Sequence, residues 1–216
     1  TKQMTEYVMV RAIKSYTGTR TLMKVMNQSL AQKNAITNTE QSIITMRKPN
    51  PEDGSTVYQL IGRCKPLDEN SMYCNLLQCS HFRDTCVIAE QGGLVVGFVS
   101  GYFLPDQPDT LFVWQVAVGE EARGQGLASR MLSKLLTRHQ GRVRHLHTSI
   151  TTGNDASWNT FKKLSRENDA PLNTRVMFDR EQHFGGQHDT EMLVHIGPFK
   201  ALAGSTSTAS RAHLQE

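Results

Sequence analysis

Between residues 42 and 200 the apolar positions fall into two rhythms, and each change of rhythm predicts an element. "SIITMRKP" reads as a first strand closed by Pro49. "PEDGSTVYQLIGRC" opens with acids and spaces Val57, Leu60 and Ile61 as one helical face, and "NSMYCNLLQCSHF" follows as a second helix capped by Asn70 or Ser71. "TCVIAE" and "LVVGFVSGYF" flank Gln91-Gly92-Gly93 and predict a hairpin. After a "PDQPD" loop comes "TLFVWQVAV", so nearly all apolar that it predicts a strand buried on both faces. A helix from about Gly126 to His139, the alternating strand "RHLHTSIT", and the helix "NDASWNTFKKLSREN" capped by Asn154 or Asp155 come next. Pro171 interrupts, and "TEMLVHIG" is the last strand. Strands and helices in this mixed order predict an α/β or α+β domain built around one central sheet.

The flanks lack such rhythm. Residues 1–41 are polar and basic and read as a mobile extension, with a short helix near residues 20–30. The end, "ALAGSTSTASRAHLQE", is small and polar and reads as a disordered tail over residues 201–216. The folded domain is expected over residues 42–200.

Charge sharpens this division. The chain carries a formal +4, but residues 1–39 hold six Lys/Arg against one acid, while residues 40–210 hold 17 basic and 18 acidic groups. A nucleic-acid reader needs a basic face on its folded part, and this near-neutral body argues against one. No apolar run reaches membrane-spanning length, and the first thirty residues hold no continuous apolar segment of the secretory kind, so a cytoplasmic protein is expected. Cys64, Cys74, Cys79 and Cys86 form no C-x-x-C pair and read as reduced, mostly buried thiols. His145 and His147 share a strand face, yet no H-E-x-x-H or acid-rich companion stands beside them, so no metal site is expected. Lys162-Lys163 reads as a solvated helix face.

The stretch "QVAVGEEARGQGLASRML" carries the candidate chemistry. A strand enters a glycine turn that opens a helix, so backbone amides and the helix dipole converge on one point suited to an anion. The P-loop pattern G-x-x-x-x-G-K-[ST] is absent, and the dinucleotide fingerprint fails because Ala128 comes too early and two strands and two helices precede the turn. What remains is Arg123-x-x-Gly126-x-Ala128. With "FVWQVAV" before it and an amphipathic helix after it, this resembles the acetyl-CoA signature of the GCN5-related N-acetyltransferase (GNAT) family.

The resemblance implies a single domain with a mixed, mostly antiparallel sheet of six to seven strands flanked by about four helices. It implies that the coenzyme A pyrophosphate sits on Arg123, Gly124, Gln125, Gly126, Leu127 and Ala128. The pantetheine arm would lie along Val116, Ala117 and Val118, and Asn154 would border it. "RKPNPEDG", "PLDENSMYCNLLQCSHFRDTCVIAE" and "FGGQHDTEMLVHIGP" further resemble the branch of that family that acetylates the γ-amine of L-2,4-diaminobutyrate in ectoine biosynthesis. That branch implies a homodimer. Taken alone, Asp68 reads as a helix cap, Trp114 as core and Glu191 as a solvated strand end. The resemblance implies instead that these three line the acceptor pocket, with Glu191 or Asp68 as catalytic carboxylate and ammonium anchor. Asn70, Tyr73 and His188 are further candidates nearby.

One departure stands out. Many members of the family place a Tyr seven residues after the helix-capping Asn, as proton donor to the departing thiolate; here the seventh residue after Asn154 is Phe161. A phenyl ring cannot donate. Water, a hydroxyl such as Ser157, or the field of the helix end are the alternatives. Two other functions fit the turn equally well: acetylation of a different small amine, or acyl-CoA sensing without catalysis.

Overall fold

The computed structural model describes residues 43–65 and 67–200; the expected basic extension, its short helix and the carboxyl tail lie outside them. Contacts group residues 45–90 and 94–200 into one compact unit, which holds the helices and the clefts described below; Ile43, Ile44 and residues 91–93 belong to a second unit. Seven strands form a single sheet: β1 (Ile44–Arg47), β2 (Val87–Gln91), β3 (Leu94–Leu104), β4 (Gln107–Val118), β5 (His145–Thr151), β6 (Leu172–Phe178) and β7 (Glu191–Ile196), in spatial order β1-β2-β3-β4-β5-β7-β6. Pairing is parallel between β4 and β5 and antiparallel for β3–β4, β5–β7 and β6–β7. Among the described residues four α-helices accompany it: α1 (Gly54–Arg63), α2 (Met72–Ser80), α3 (Leu127–Arg138) and α4 (Asp155–Glu167).

Helices α1 and α3 form where their apolar stripes find the sheet, while α2 packs on α1 and α4 on α3. Val57, Leu60 and Ile61 of α1 are buried in one cluster with Ile88, Phe98 and Ala117. On α3, Leu127, Met131, Leu132 and Leu135 form the buried stripe at spacings of four, one and three. Ser71 caps α2 by accepting from the Cys74 amide, and Asn154 caps α4 by accepting from the Ser157 amide. Asp68, read alone as a cap, caps nothing.

Two expectations are corrected. "PDQPD" contributes only Pro105 and Asp106 to the turn, because β4 already begins at Gln107. Pro108 is tolerated there because β5 pairing starts at Thr110, so its missing amide breaks no bond to β5. Residues 172–178, which carry no strand pattern in the sequence, form β6, an edge strand whose mostly exposed positions show no alternation to read.

The feature that positions the site lies in β4. Ser100 pairs with Gln115 and Gly101 with Val113, so Trp114 is the extra residue of a β-bulge. The bulge brings the chains so close that a Cβ at Gly101 would meet the Phe112 carbonyl oxygen at 2.6 Å, which is why glycine stands there. β4–β5 pairing ends one residue before the bulge, at Val113 opposite Thr148. Both strands continue, β5 staying paired with β7 as far as Thr151. Between them the sheet opens.

Candidate active site

Two adjoining clefts occupy this opening. The first, about 510 Å3, is lined by Val116, Val118, Arg123, Gly124, Gly126, Leu127, Ala128 and Ser129, with Cys64 and Lys65 on one wall and α4 on the other. Gly124 and Gly126 have φ of 74° and 67°, the left-handed conformation that glycine adopts without strain. α3 has no side-chain cap, and the first amide to close a bond across its start is that of Arg130, to the Gly126 carbonyl (3.1 Å). The earlier amides of that turn are the orphan donors of a helix start, and they converge on the cleft. Gln125 does not line it; its side-chain amide donates to the Glu121 carbonyl (3.2 Å).

The strand side supplies a second kind of donor. Gly119 donates to the Val96 carbonyl (2.9 Å), which makes 119 and 96 a hydrogen-bonded pair. Antiparallel pairs alternate, so Ala117 bonds β3 while the backbone groups of Val116 and Val118 point away from it, toward the opening. The Val118 carbonyl indeed accepts from the Cys64 thiol and from Arg123 Nε, each at 3.4 Å. Val116 therefore presents an amide and a carbonyl to the cleft with no strand opposite. The Ala117 side chain belongs to the core, fully buried.

The second cleft, about 630 Å3, is lined by Asp68, Asn70, Trp114, His188 and Glu191 together with Gln115, Ser149, Arg180, Gln187 and Asp189. Five of the six acceptor-side candidates are thus brought together from three separate stretches of chain. Tyr73 is not among them and is 69% exposed. The buried positions of α2 are Asn75, Gln78 and Cys79, and Tyr73, two residues before Asn75, is rotated about 200° away from that face. Trp114 is 45% exposed rather than core, because the bulge turns its ring into the cleft mouth, where it meets Tyr102 edge-on at 6.3 Å.

Glu191 is half-buried at the start of β7 and not a solvated end. Burial raises its carboxyl pKa above the ordinary value, against a hydrogen bond from Ser149 and the nearby His188. One of its oxygens, Oε2, is buried without a hydrogen-bond partner among the described residues. A carboxylate left this way is short of a donor. His188 places Nδ1 at 2.8 Å from the Asp189 carbonyl, so Nδ1 carries a proton and donates, and its Nε2 stands 3.3 Å from Asp68 Oδ2. Both contacts favour the imidazolium, and the His188 pKa is raised, chiefly by the Asp189 carbonyl. Arg180, missed in the sequence, is the one Lys or Arg among the lining residues; it pairs with Asp189 at 3.0 Å. Nothing in "FDREQHFGG" flags it, since a lone arginine in a polar loop carries no pattern.

Leu67, Val116, Asn154, Ser157 and Phe161 line both clefts and mark their junction. Of these, Ser157 alone brings a side-chain hydroxyl. The histidines on β5 lie elsewhere: both rings pack against that of His195, and His147 and His195 line a third, smaller pocket beside Arg175.

An anion cradle, an unpaired strand edge and a carboxylate-lined second chamber that meet at one point define a group-transfer site of the acyl-CoA kind. The acetyltransferase (GNAT) family model matches residues 55–165, and the chain belongs to that family. Within it, the chain is 56% identical over 161 residues to the L-2,4-diaminobutyric acid acetyltransferase of Methylotuvimicrobium alcaliphilum, covering 74% of this chain and 94% of the relative. It is 49% identical over 168 residues to that of Halomonas elongata, covering 77% and 87%. Among solved structures it is similar to diaminobutyrate acetyltransferase EctA from Paenibacillus lautus in complex with its substrate L-2,4-diaminobutyric acid and coenzyme A. The TM-score is 0.70 and the identity 39%, over 75% of this chain and 99% of that one.

Proposed function

We propose that this chain transfers the acetyl group of acetyl-CoA to the γ-amine of L-2,4-diaminobutyrate by direct attack in a ternary complex, the acetylation step of ectoine biosynthesis. The observation that carries this reading is the junction. A cleft with an anion-binding turn and a cleft with carboxylates and a single arginine open onto the same residues, so a thioester in one faces an amine in the other. Relatives named for this reaction, at 49–56% identity, support it.

The roles follow from charge. Coenzyme A lies on the 123–128 turn by its pyrophosphate and along Val116 and Val118 by its amide-rich arm. The acceptor carries an α-carboxylate, an α-ammonium and a γ-ammonium. Arg180 holds the carboxylate, and Asp68 with the face of Trp114 holds the α-ammonium. The γ-ammonium, with an intrinsic pKa near 10.4, must shed a proton before it can attack. Glu191 accepts it, directly or through water; its raised pKa and bare Oε2 suit a base. The amine nitrogen then bonds to the thioester carbon while the Val116 amide stabilises the developing oxyanion. The C–S bond breaks, and the proton that the attacking nitrogen sheds on becoming an amide passes through water to the thiolate, whose conjugate thiol has a pKa of about 8.5, so departure tolerates the lack of a donor at Phe161.

Two further parts of the reading concern the whole molecule. The enzyme works in the cytoplasm, and two copies pair. Pairing is supported by β6, an edge strand that leaves Val176 49% and Phe178 41% exposed. Sedimentation velocity tests pairing. The function itself is tested by incubating the chain with diaminobutyrate and acetyl-CoA, following thiol release and reading the product by NMR. N-γ-acetyl-diaminobutyrate is the expected product. Release with putrescine and none with diaminobutyrate would replace the acceptor; coenzyme A binding without thiol release from any amine would make the chain a sensor.

A further inference from the structure

We infer that Gln115 is a positioning residue that ties the acceptor side of the site to the cofactor strand, so that the amine chamber is held in register with the thioester. The inference rests on the reading above. Gln115 sits in β4 directly after the bulged Trp114. In a regular strand, consecutive side chains leave on opposite faces; a bulge breaks that alternation, and here Trp114 and Gln115 both line the same cleft. Gln115 is 8% exposed.

Its amide is used at both ends on one short segment. Nε2 donates to the Asp68 carbonyl at 2.9 Å, and Oε1 accepts from Asn70 Nδ2 at 3.0 Å. That segment, the connection from α1 to α2, has no helical or strand bonds between Leu67 and Ser71, yet it carries Asp68 and Asn70. The Asp68 side chain is 83% exposed, so packing does not fix it. Its backbone is fixed instead by an amide that grows from the strand proposed to bind coenzyme A. Only a primary carboxamide can do this, because the two contacts need a donor and an acceptor on one planar group. Leucine or methionine fills the space and leaves two polar groups without partners. Glutamate keeps the acceptor and sets a carboxylate against a carbonyl. The pairing also directs Asn70: its amide nitrogen faces Gln115, which leaves its carbonyl oxygen for a ligand ammonium.

The test compares the full chain with Gln115→Met and Gln115→Glu, measuring the KM of each substrate, coenzyme A affinity by calorimetry and the γ-to-α product ratio. For Gln115→Met the diaminobutyrate KM should rise about tenfold, as expected when two partly buried hydrogen bonds lose a partner. The γ selectivity should fall, and coenzyme A affinity should stay within about twofold, since the turn and the Val116 backbone are untouched. Gln115→Glu should show the same split, with the smaller rise. A diaminobutyrate KM within twofold of the parent in a variant that still turns over overturns the inference. So does a parallel loss of coenzyme A affinity in both variants, which would make Gln115 a plain structural residue. A parent chain that does not acetylate diaminobutyrate overturns the functional reading instead, and is seen before any variant is made.

Discussion

The two clefts are built by opposite strategies. The cofactor cleft is drawn mainly from one unbroken run, Val116 to Ser129, in which strand, turn and helix start follow one another and the backbone does the binding. The acceptor cleft is assembled from the α1–α2 connection, the bulged part of β4, the end of β5, the β6–β7 connection and the start of β7, and side chains do the binding. Backbone recognition needs only glycines, a dipole and the right turn, so it can serve any acyl-CoA acceptor. Side-chain recognition of a small zwitterion needs a different charge in each corner, and no single stretch of chain can supply them. The contrast separates what the family shares from what distinguishes its members.

Substitutions on either side should break the site differently. The largest effect is expected at Glu191. Glu191→Gln should lower kcat/KM for diaminobutyrate by on the order of 10²–10³-fold, the scale of a lost general base, while coenzyme A affinity holds. The pH profile gives the sharper check. Burial raises the Glu191 pKa, so the carboxylate must be regained at higher pH than for an ordinary glutamate. Activity should therefore rise with pH along a limb displaced upward from the usual carboxylate range. Glu191→Gln should abolish that limb; a limb that survives assigns the base elsewhere.

Next comes the turn. Gly126→Val forces a β-branched residue to φ near 67°, a cost of about 1–3 kcal/mol, and crowds the approach of the pyrophosphate. Calorimetry should show coenzyme A affinity falling at least tenfold. Binding of diaminobutyrate, followed by ligand-observed NMR, should be preserved, because none of its candidate contacts lies on the turn.

Arg180 tests the division within the acceptor cleft. Arg180→Gln should raise the diaminobutyrate KM by about tenfold, as for the loss of a charge-assisted hydrogen bond. It should leave 1,3-diaminopropane, the same acceptor without its carboxylate, unaffected. Equal losses for both amines would mean that Arg180 merely holds the loop through Asp189.

The smallest effect lies outside both clefts and serves as the control. His147 is held at a pKa of about 4 by burial and by its neighbours His195, His145 and Arg175. Its ordinary value is 6.5, so between pH 6.5 and 4 the unfolded chain binds the proton and the folded chain does not. The contribution is full above pH 6.5 and is lost as pH falls toward 4. Melting temperature against pH should fall less steeply over that window in His147→Gln, with kinetics at pH 8 unchanged.

The same contrast explains how much of the molecule is legible in its residues. Helix α1 is readable because Val57, Leu60 and Ile61 share a face that is buried in fact. The cofactor turn is readable because its chemistry is contiguous. Asp68, Trp114 and Glu191 can be nominated only through resemblance, since each has an ordinary structural role by itself. Arg180 and Gln115 escape. Arg180 is isolated in a polar loop. Gln115 reads as one polar interruption in an apolar strand, and the bulge that re-aims it leaves no mark in the residue pattern. Tyr73 stands near the site in sequence and outside it in space, because proximity along the chain does not tell which way a helix faces.

The bulge has one more consequence, which is arithmetical. An inserted residue changes the parity of everything after it. Were Trp114 instead drawn into regular pairing opposite Ser100, every later residue of β4 would slip by one place along β3. The peptide groups of Val116 and Val118 would then turn inward, opposite Phe98 and Val96, and those of Gln115 and Ala117 outward. The opening would face a different set of backbone donors. Removing Trp114 outright would do the reverse of this: Gln115 stays opposite Ser100, and the edge offered by Val116 and Val118 is kept. The bulge is therefore a selector of which edge of β4 meets the acyl carrier, set by one surplus residue.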